Sequence, residues 1–336
     1  MVRGFGATGR DGQGRVVADA ACPPYIGCQL DFEEVTRMRL FHRLRRGLTT
    51  MGLAAIAGCV VAPISPAMAR PALWRVADSD TTVYLFGTIH MLPQDYAWRT
   101  PALEKALAKS DGLIVETLVD DKNPASFAKE LAQLGYRDGL PPILNRVALD
   151  KRALLSAAIG RAKMPMTAFD RMETWAAAFL LLGIQFQQLD LKGSDGVENS
   201  LRTTFATAGK PIGQLETNRE QLSFFDQLSE GAQRTLLEGS IESPEGMRAQ
   251  FNVMLQAWTS GDVDAIAKSF SEELRDSPEL RDVLLARRNA NWAGWVERRM
   301  TQPGSVMIAV GAGHLAGDGS VQDMLKRRGY RVTRVQ

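Results

Sequence analysis

Two apolar runs, Val83-Tyr84-Leu85-Phe86 and Val306-Met307-Ile308-Ala309-Val310, each stop on a glycine that opens the same frame. The frames are Gly87-Thr88-Ile89-His90 and Gly311-Ala312-Gly313-His314. Each run has the length and composition of a strand. The chain continues alike after both frames: a loop, a helix and another strand, at 101–110 and 113–116 in the first case and at 320–328 and 330–335 in the second. Strand, helix and strand in that order make a βαβ-like unit, so a chain that repeats it is confined to the α/β class. Both histidines then stand at the carboxyl end of a strand, where open α/β sheets form their sites.

The 336-residue chain holds one further histidine, His42, and it falls in a segment with a different purpose. From Met38 the order is a basic opening, an apolar run near 48–62 and Ala67-Met68-Ala69, which is a secretory signal over 38–69 with cleavage expected after Ala69. Residues 1–37 are Gly-rich and without periodicity, and are read as a disordered, spurious leader ahead of a true start at Met38. Ile56-Ala57-Gly58-Cys59 resembles a lipobox, which would anchor the product at Cys59, and Arg45-Arg46 matches a twin-arginine signal only poorly. A soluble periplasmic product is the reading taken. The apolar run is broken by Thr and Gly and is short of the ~20 residues that a spanning helix needs, so no transmembrane helix is expected in the mature chain.

Cys22, Cys28 and Cys59 all precede the cleavage point, which excludes a cysteine nucleophile or thiolate metal site from the mature protein. Setting aside the eight Arg and five acids of residues 1–69 leaves 32 basic against 33 acidic residues, a balance that gives no reason to expect nucleic acid as partner.

The rest, 70–336, reads as a single domain: a central mixed sheet flanked by helices, with a large helical insertion. Strands are expected at 74–77 and 82–86 around an Asp78-Ser79-Asp80 turn, and at 210–216. Helices are expected at 124–134, 148–162, 171–188, 195–208, 218–228, 245–258, 262–275 and 279–300. The apolar run 176–184 is a core helix by its length, and Thr217-x-x-Glu220 is a capping box.

Glu116 and Glu216 each close a short strand, so His90, Glu116, Glu216 and His314 can converge from distant positions. Gly87 and Gly311 would let the backbone turn sharply off the strand. Any one of the four has a bland reading, a hydrogen-bonded structural histidine or a glutamate capping a turn. Together, neutral imidazoles and a carboxylate are a ligand set for a divalent first-row metal, whose bound water ionises near neutral pH, and the remaining carboxylate can serve as general base. The chain has no H-E-x-x-H, no G-x-S-x-G and no P-loop.

Further pieces resemble one family: Pro93 after the first histidine, Leu113-Ile114-Val115-Glu116, Lys210-Pro211 through Leu215-Glu216-Thr217, Arg288-Asn289 with Trp292, and Gly-Ala-Gly-His-Leu-Ala-Gly with Gly329-Tyr330. In this order over about 74–335 they are similar to the TraB/GumN family, whose fold resembles that of the Tiki and erythromycin-esterase/ChaN-like proteins. The resemblance implies a metal-dependent protease site with His90, His314 and Glu116 as ligands, Glu116 or Glu216 as the catalytic carboxylate, and manganese, cobalt or zinc as the ion. Gly193-Ser194-Asp195 resembles the family's G-I-D segment. On the last long helix Arg288, Trp292, Trp295 and Arg299 share one face, either as a Trp-stapled core stripe with arginines in solvent or as a substrate-facing wall. Arg288, Asn289, Trp292 and Asp195 are the substrate-binding candidates. The expected function is an exported metal-dependent peptidase acting on a peptide or small molecule. The alternatives are a periplasmic protein that sequesters a peptide, metal or haem-like ligand, and an esterase.

Overall fold

The computed structural model describes residues 69–118 and 124–336. The signal segment, the lipobox and the leader lie outside them, apart from the final Ala69 of the signal. Six strands form one sheet: β1 (Leu73–Ala77), β2 (Thr81–Thr88), β3 (Gly112–Val115), β4 (Ile212–Gln214), β5 (Gly304–Gly311) and β6 (Val332–Arg334), in the order β4-β3-β5-β2-β1-β6. The pairs β2–β5, β5–β3 and β3–β4 are parallel, and β1 runs antiparallel to both β2 and β6. The sheet is therefore mixed, with β1 its one reversed strand.

Around this sheet pack α1 (Pro101–Lys109), α2 (Pro124–Gly135), α3 (Arg152–Arg161), α4 (Met166–Asp170), α5 (Thr174–Gln188), α6 (Val197–Thr207) and α7 (Asn218–Asp226). They continue with α8 (Glu230–Gly239), α9 (Pro244–Ser260), α10 (Val263–Glu273), α11 (Pro278–Arg281), α12 (Arg287–Arg299) and α13 (Val321–Arg327).

The two central strands alternate faces with period two, and both faces are apolar. Tyr84, Phe86, Met307 and Ala309 pack with Leu103 and Leu107 of α1, Leu201 and Phe205 of α6 and Trp258 of α9. Val83, Leu85, Ile308 and Val310 pack on the other side with Trp292 and Val296 of α12 and Leu325 of α13. Burial on both sides is why these strands read as unbroken apolar runs.

Both repeats are βαβ crossovers, and they leave in opposite directions. β2 connects through α1 to β3, beyond β5; β5 connects through α13 to β6, beyond β2 and β1. Because α1 and α13 cover opposite faces, the carboxyl ends of β2 and β5 stay open between the helix layers, the place where such sheets hold ligands.

The helical insertion is two segments, one between β3 and β4 and one between β4 and β5. They interlock, since Leu155, Phe169 and Trp175 of the first share a separate core with Leu222 and Leu237 of the second. Helix α8, behind its Ser229 cap, has no counterpart among the expected helices, because glycines at both ends hide its period. The expected helix 171–188 starts only at Thr174: Arg171–Glu173 instead bridge to the end of α2, with Glu173 N–H donating to the Gly135 carbonyl at 2.8 Å. The expected 279–300 helix carries a π-turn at Asp282–Ala286, shortly before Arg288. Thr217 and Glu220 do form the reciprocal capping box of α7.

Two motif residues seat the parts that frame the site. Lys210 Nζ donates to the Ser110 and Ala108 carbonyls at 2.6 and 3.1 Å, capping α1. Gly87 is a correction: it lies within β2 rather than at a turn, and a Cβ there would stand 3.2 Å from Ala312 Cα. Glycine leaves room there for the close approach of the 3₁₀ turn Ala312–Leu315, which carries His314. Gly87→Ala is therefore expected to lower stability by about 1–3 kcal/mol through overpacking, seen as a lower urea midpoint at unchanged slope; an unchanged midpoint would mean that the turn is free to shift.

Candidate functional site

Glu216, Glu116, His314 and His90 follow β4, β3, β5 and β2, four adjacent parallel strands, so the carboxylates and imidazoles come out along one edge. The β4 end is tied to the β3 end by backbone, with Glu216 N–H donating to the Glu116 carbonyl at 3.0 Å. The structure therefore gathers all four, and it orders them.

At the centre is a cation that the chain supplies itself. Arg288 of α12, 5 % exposed, donates from Nη2 to Glu116 Oε2 at 2.7 Å and to Glu216 Oε2 at 2.8 Å, and from Nε to both Glu216 oxygens at 3.1 Å. Its Nη1 lies 3.2 Å from His314 Nε2. Trp292 Nε1 completes Glu216 at 2.9 Å, and the Arg288 guanidinium lies 4.7 Å from the Trp292 ring centroid. Glu116 also accepts from Gly311 N–H at 2.7 Å and from Gln221 Nε2 at 3.1 Å.

The tautomer of His314 follows from its neighbours. Asn289 Nδ2 donates to the Gly319 carbonyl at 2.9 Å, which turns Oδ1 toward His314 Nδ1 at 2.7 Å. A carbonyl only accepts, so Nδ1 carries the proton, while the guanidinium only donates and meets the lone pair on Nε2. Burial keeps this ring neutral and, despite the Glu116 carboxylate, lowers its pKa to about 3.

His90 contrasts with it. Its side chain is 70 % exposed, and Nδ1 lies 2.8 Å from Glu198 Oε1, which also accepts from Thr88 Oγ1 at 2.6 Å. The attraction of the Glu198 carboxylate raises the His90 pKa above its usual 6.5, and exposure of the ring to solvent weakens that attraction. The frames agree in sequence but not in environment: Ile89 and His90 emerge as open chain, whereas His314 lies inside a 3₁₀ turn.

The carboxylates also separate. Burial would raise the Glu116 pKa, but the imidazole of His314 when protonated, Arg288, His90 and the Gly311 N–H together lower it to about 2. For Glu216 burial prevails over Arg288 and raises the pKa.

Gly311 marks where Glu116, His314 and His90 meet. A Cβ there would lie 3.2 Å from Glu116 Oε1, 3.7 Å from His314 Cδ2 and 4.0 Å from His90 Nε2, so any larger residue would push into the site. Its φ of −49° needs no glycine, and crowding replaces the sharp turn as the reason. His314 Nε2 and Glu116 Oε1 are 3.9 Å apart. Among the described residues, no three His, Cys, Asp or Glu side chains are grouped closely enough to hold a metal ion as they stand.

The other candidates are placed differently. Arg288, Asn289 and Trp292 are buried with their polar atoms engaged inside the protein, so they build the site's floor rather than a wall facing a ligand. Arg288 does not reach solvent, and Arg299 bonds the Gln302 carbonyl at the far end of α12. Among the described residues Asp195 accepts only a long bond, from Ser194, while the acid that reaches His90 is Glu198, three residues on. Glu198, Thr88, Gln221 and Gly196 are site residues that the sequence reading misses. A glycine and an acid at the first turn of a helix are the available signal, and ordinary helix capping uses the same letters.

The profile of the TraB/PrgY/gumN family matches residues 72–334. Similar proteins are the uncharacterized protein YbaP of Escherichia coli (strain K12), 26% identical over 260 residues that cover 76% of this chain and 92% of YbaP, and an uncharacterized protein of Treponema pallidum (strain Nichols), 23% identical over 273 residues, 76% of this chain and 80% of the relative. No solved structure gives a significant match.

Arg288→Met is expected to cost about 3–5 kcal/mol, because it leaves two buried carboxylates without a counter-charge; adding Glu216→Gln should restore part of the lost melting temperature. A second expectation concerns pH. Unfolded His314 binds a proton below 6.5 that the folded ring refuses until about 3, so stability falls as pH drops through that window. Glu116 extends the fall from 4.5 to about 2. Melting temperatures of His314→Gln, although lower throughout, should lack the decline between pH 6.5 and 4.5.

Proposed function

From the premise that this chain belongs to the TraB/PrgY/gumN family, we propose that it is an exported, periplasmic hydrolase, a peptidase, whose paired G-x-x-H motifs work with a divalent first-row metal. The observation that carries this reading is the convergence of His90 Nε2, the His314 ring edge and Glu116 Oε1 around Gly311.

The donor chemistry fits such an ion. Both imidazoles have Nδ1 tied to an oxygen acceptor, Glu198 for His90 and Asn289 for His314, which is how metal-ligating histidines are oriented. His90, His314 and Glu116 would hold the ion, and Arg288 is the group it must compete with at His314. An ion held there would supply Lewis acidity.

The chain's own groups divide the remaining work. Glu116, held ionised, keeps a fixed negative charge beside the histidines. Glu216, whose pKa burial raises, is the carboxylate suited to take up a proton, since environments that push two carboxylates apart assign acid and base roles. Arg288 holds the two at fixed separation. The peptide substrate class comes from the likeness to Tiki proteins.

One observation favours a sequestering module instead. Arg288 already fills the His314 lone pair and neutralises Glu116, so the site is satisfied without an ion.

The deciding experiment is metal analysis of the protein from Arg70 onward, purified without chelator and then supplied with manganese or cobalt, beside the His90→Ala/His314→Ala variant. About one equivalent in the wild type, little in the variant and metal-dependent cleavage of a peptide library are expected. No metal and no cleavage would replace the peptidase with the binding module.

A further inference from the structure

His90 is the exposed member of the site, and an exposed ring samples several rotamers unless something holds it. What holds it comes from a distant part of the chain. The first turn of α6 docks on the end of β2, with Val197 N–H donating to the Ile89 carbonyl at 3.2 Å. The contact requires glycine at 196, where a Cβ would fall 2.1 Å from the His90 carbonyl oxygen. This docking brings Glu198, its side chain 19% exposed, to 2.8 Å from His90 Nδ1. Thr88, in the strand itself, fixes the same carboxylate oxygen through its hydroxyl at 2.6 Å.

We infer that Glu198 is a positioning residue for His90: its carboxylate, anchored by Thr88, accepts the Nδ1 proton and thereby aims Nε2 at the point beside Gly311 and Glu116. A carboxylate without a proton can only accept, so the bond selects the ring's orientation and leaves Nε2 as the working atom. His314 receives the same service from Asn289 Oδ1. Thus the first turn of α6 orients one of the two histidines of a site otherwise built from strand ends, α7 and α12.

The test uses the spectroscopic signature of the bond. An exposed imidazole N–H exchanges with water too fast to observe, whereas one held by a carboxylate is protected. In ¹⁵N-labelled wild-type protein a His90 Nδ1–H resonance is expected. It should vanish in Glu198→Ala, weaken in Thr88→Val and return in part in Glu198→Gln, whose amide oxygen still accepts. The buried His314 Nδ1–H, unchanged throughout, reports that each variant is folded. Absence of the His90 signal in wild type, or its persistence in Glu198→Ala, overturns the inference.

A second arm rests on the proposed metal-dependent function: manganese or cobalt affinity should fall about 10–100-fold in Glu198→Ala. An unchanged affinity in a protein that binds the ion also overturns the inference. A wild type that binds neither ion would end the metal reading alone, and the resonance would still decide the role of Glu198.

Discussion

A guanidinium buried between two carboxylates is expensive to desolvate and tolerable only when every donor finds an acceptor. Arg288 meets that condition through Glu116, Glu216, His314 and the Leu284 carbonyl. The requirement fixes the relative positions of β3, β4, the turn after β5 and α12, because the first three each present one partner to the arginine that α12 carries. The π-turn ends at Ala286, where α12 begins, and so sets the helix's entry into the site; wide turns of this kind recur at functional positions.

The topology makes this arrangement possible. Opposed crossovers from β2 and β5 put α1 and α13 on different faces and leave the carboxyl edge of the central strands uncovered. A repeated strand-helix-strand unit therefore yields two histidines on neighbouring strands. It does not yield two equivalent histidines, since the turn after β5 folds inward under Phe270, 2.7 Å from where a Gly313 Cβ would be, while the chain after β2 stays at the surface. One ring is neutral and enclosed; the other stands beside a carboxylate that raises its pKa and is open to solvent. A site built this way has a fixed wall and an accessible one.

The legible part of the site is the part carried by strands. His90, Glu116, Glu216 and His314 can be placed because an apolar run that stops on a polar residue marks a strand end, and strand ends of a parallel sheet share an edge. Glu198 is not legible, since it acts from a helix more than a hundred residues away and its capping position explains it equally well. The same limit draws attention to Asp195: the letters match, but only the docking of Gly196 on the His90 backbone decides which acid arrives. On α12 the spacing of Arg288 and Trp292 gives a shared face correctly, yet periodicity cannot say whether that face meets solvent or a pair of buried carboxylates.

By itself, the sequence determined the α/β class, the two crossovers and the four strand-end residues, because alternation and turn chemistry are local properties of a few consecutive side chains. Tertiary structure alone decided that the helical insertion is two interlocked segments, that Gly87 and Gly311 are glycines through crowding rather than turning, and that Arg288 fills the space between Glu116, Glu216 and His314. Those outcomes depend on distances between segments far apart in the chain, which are set by packing two helix layers against one sheet and have no signature in any single stretch of residues.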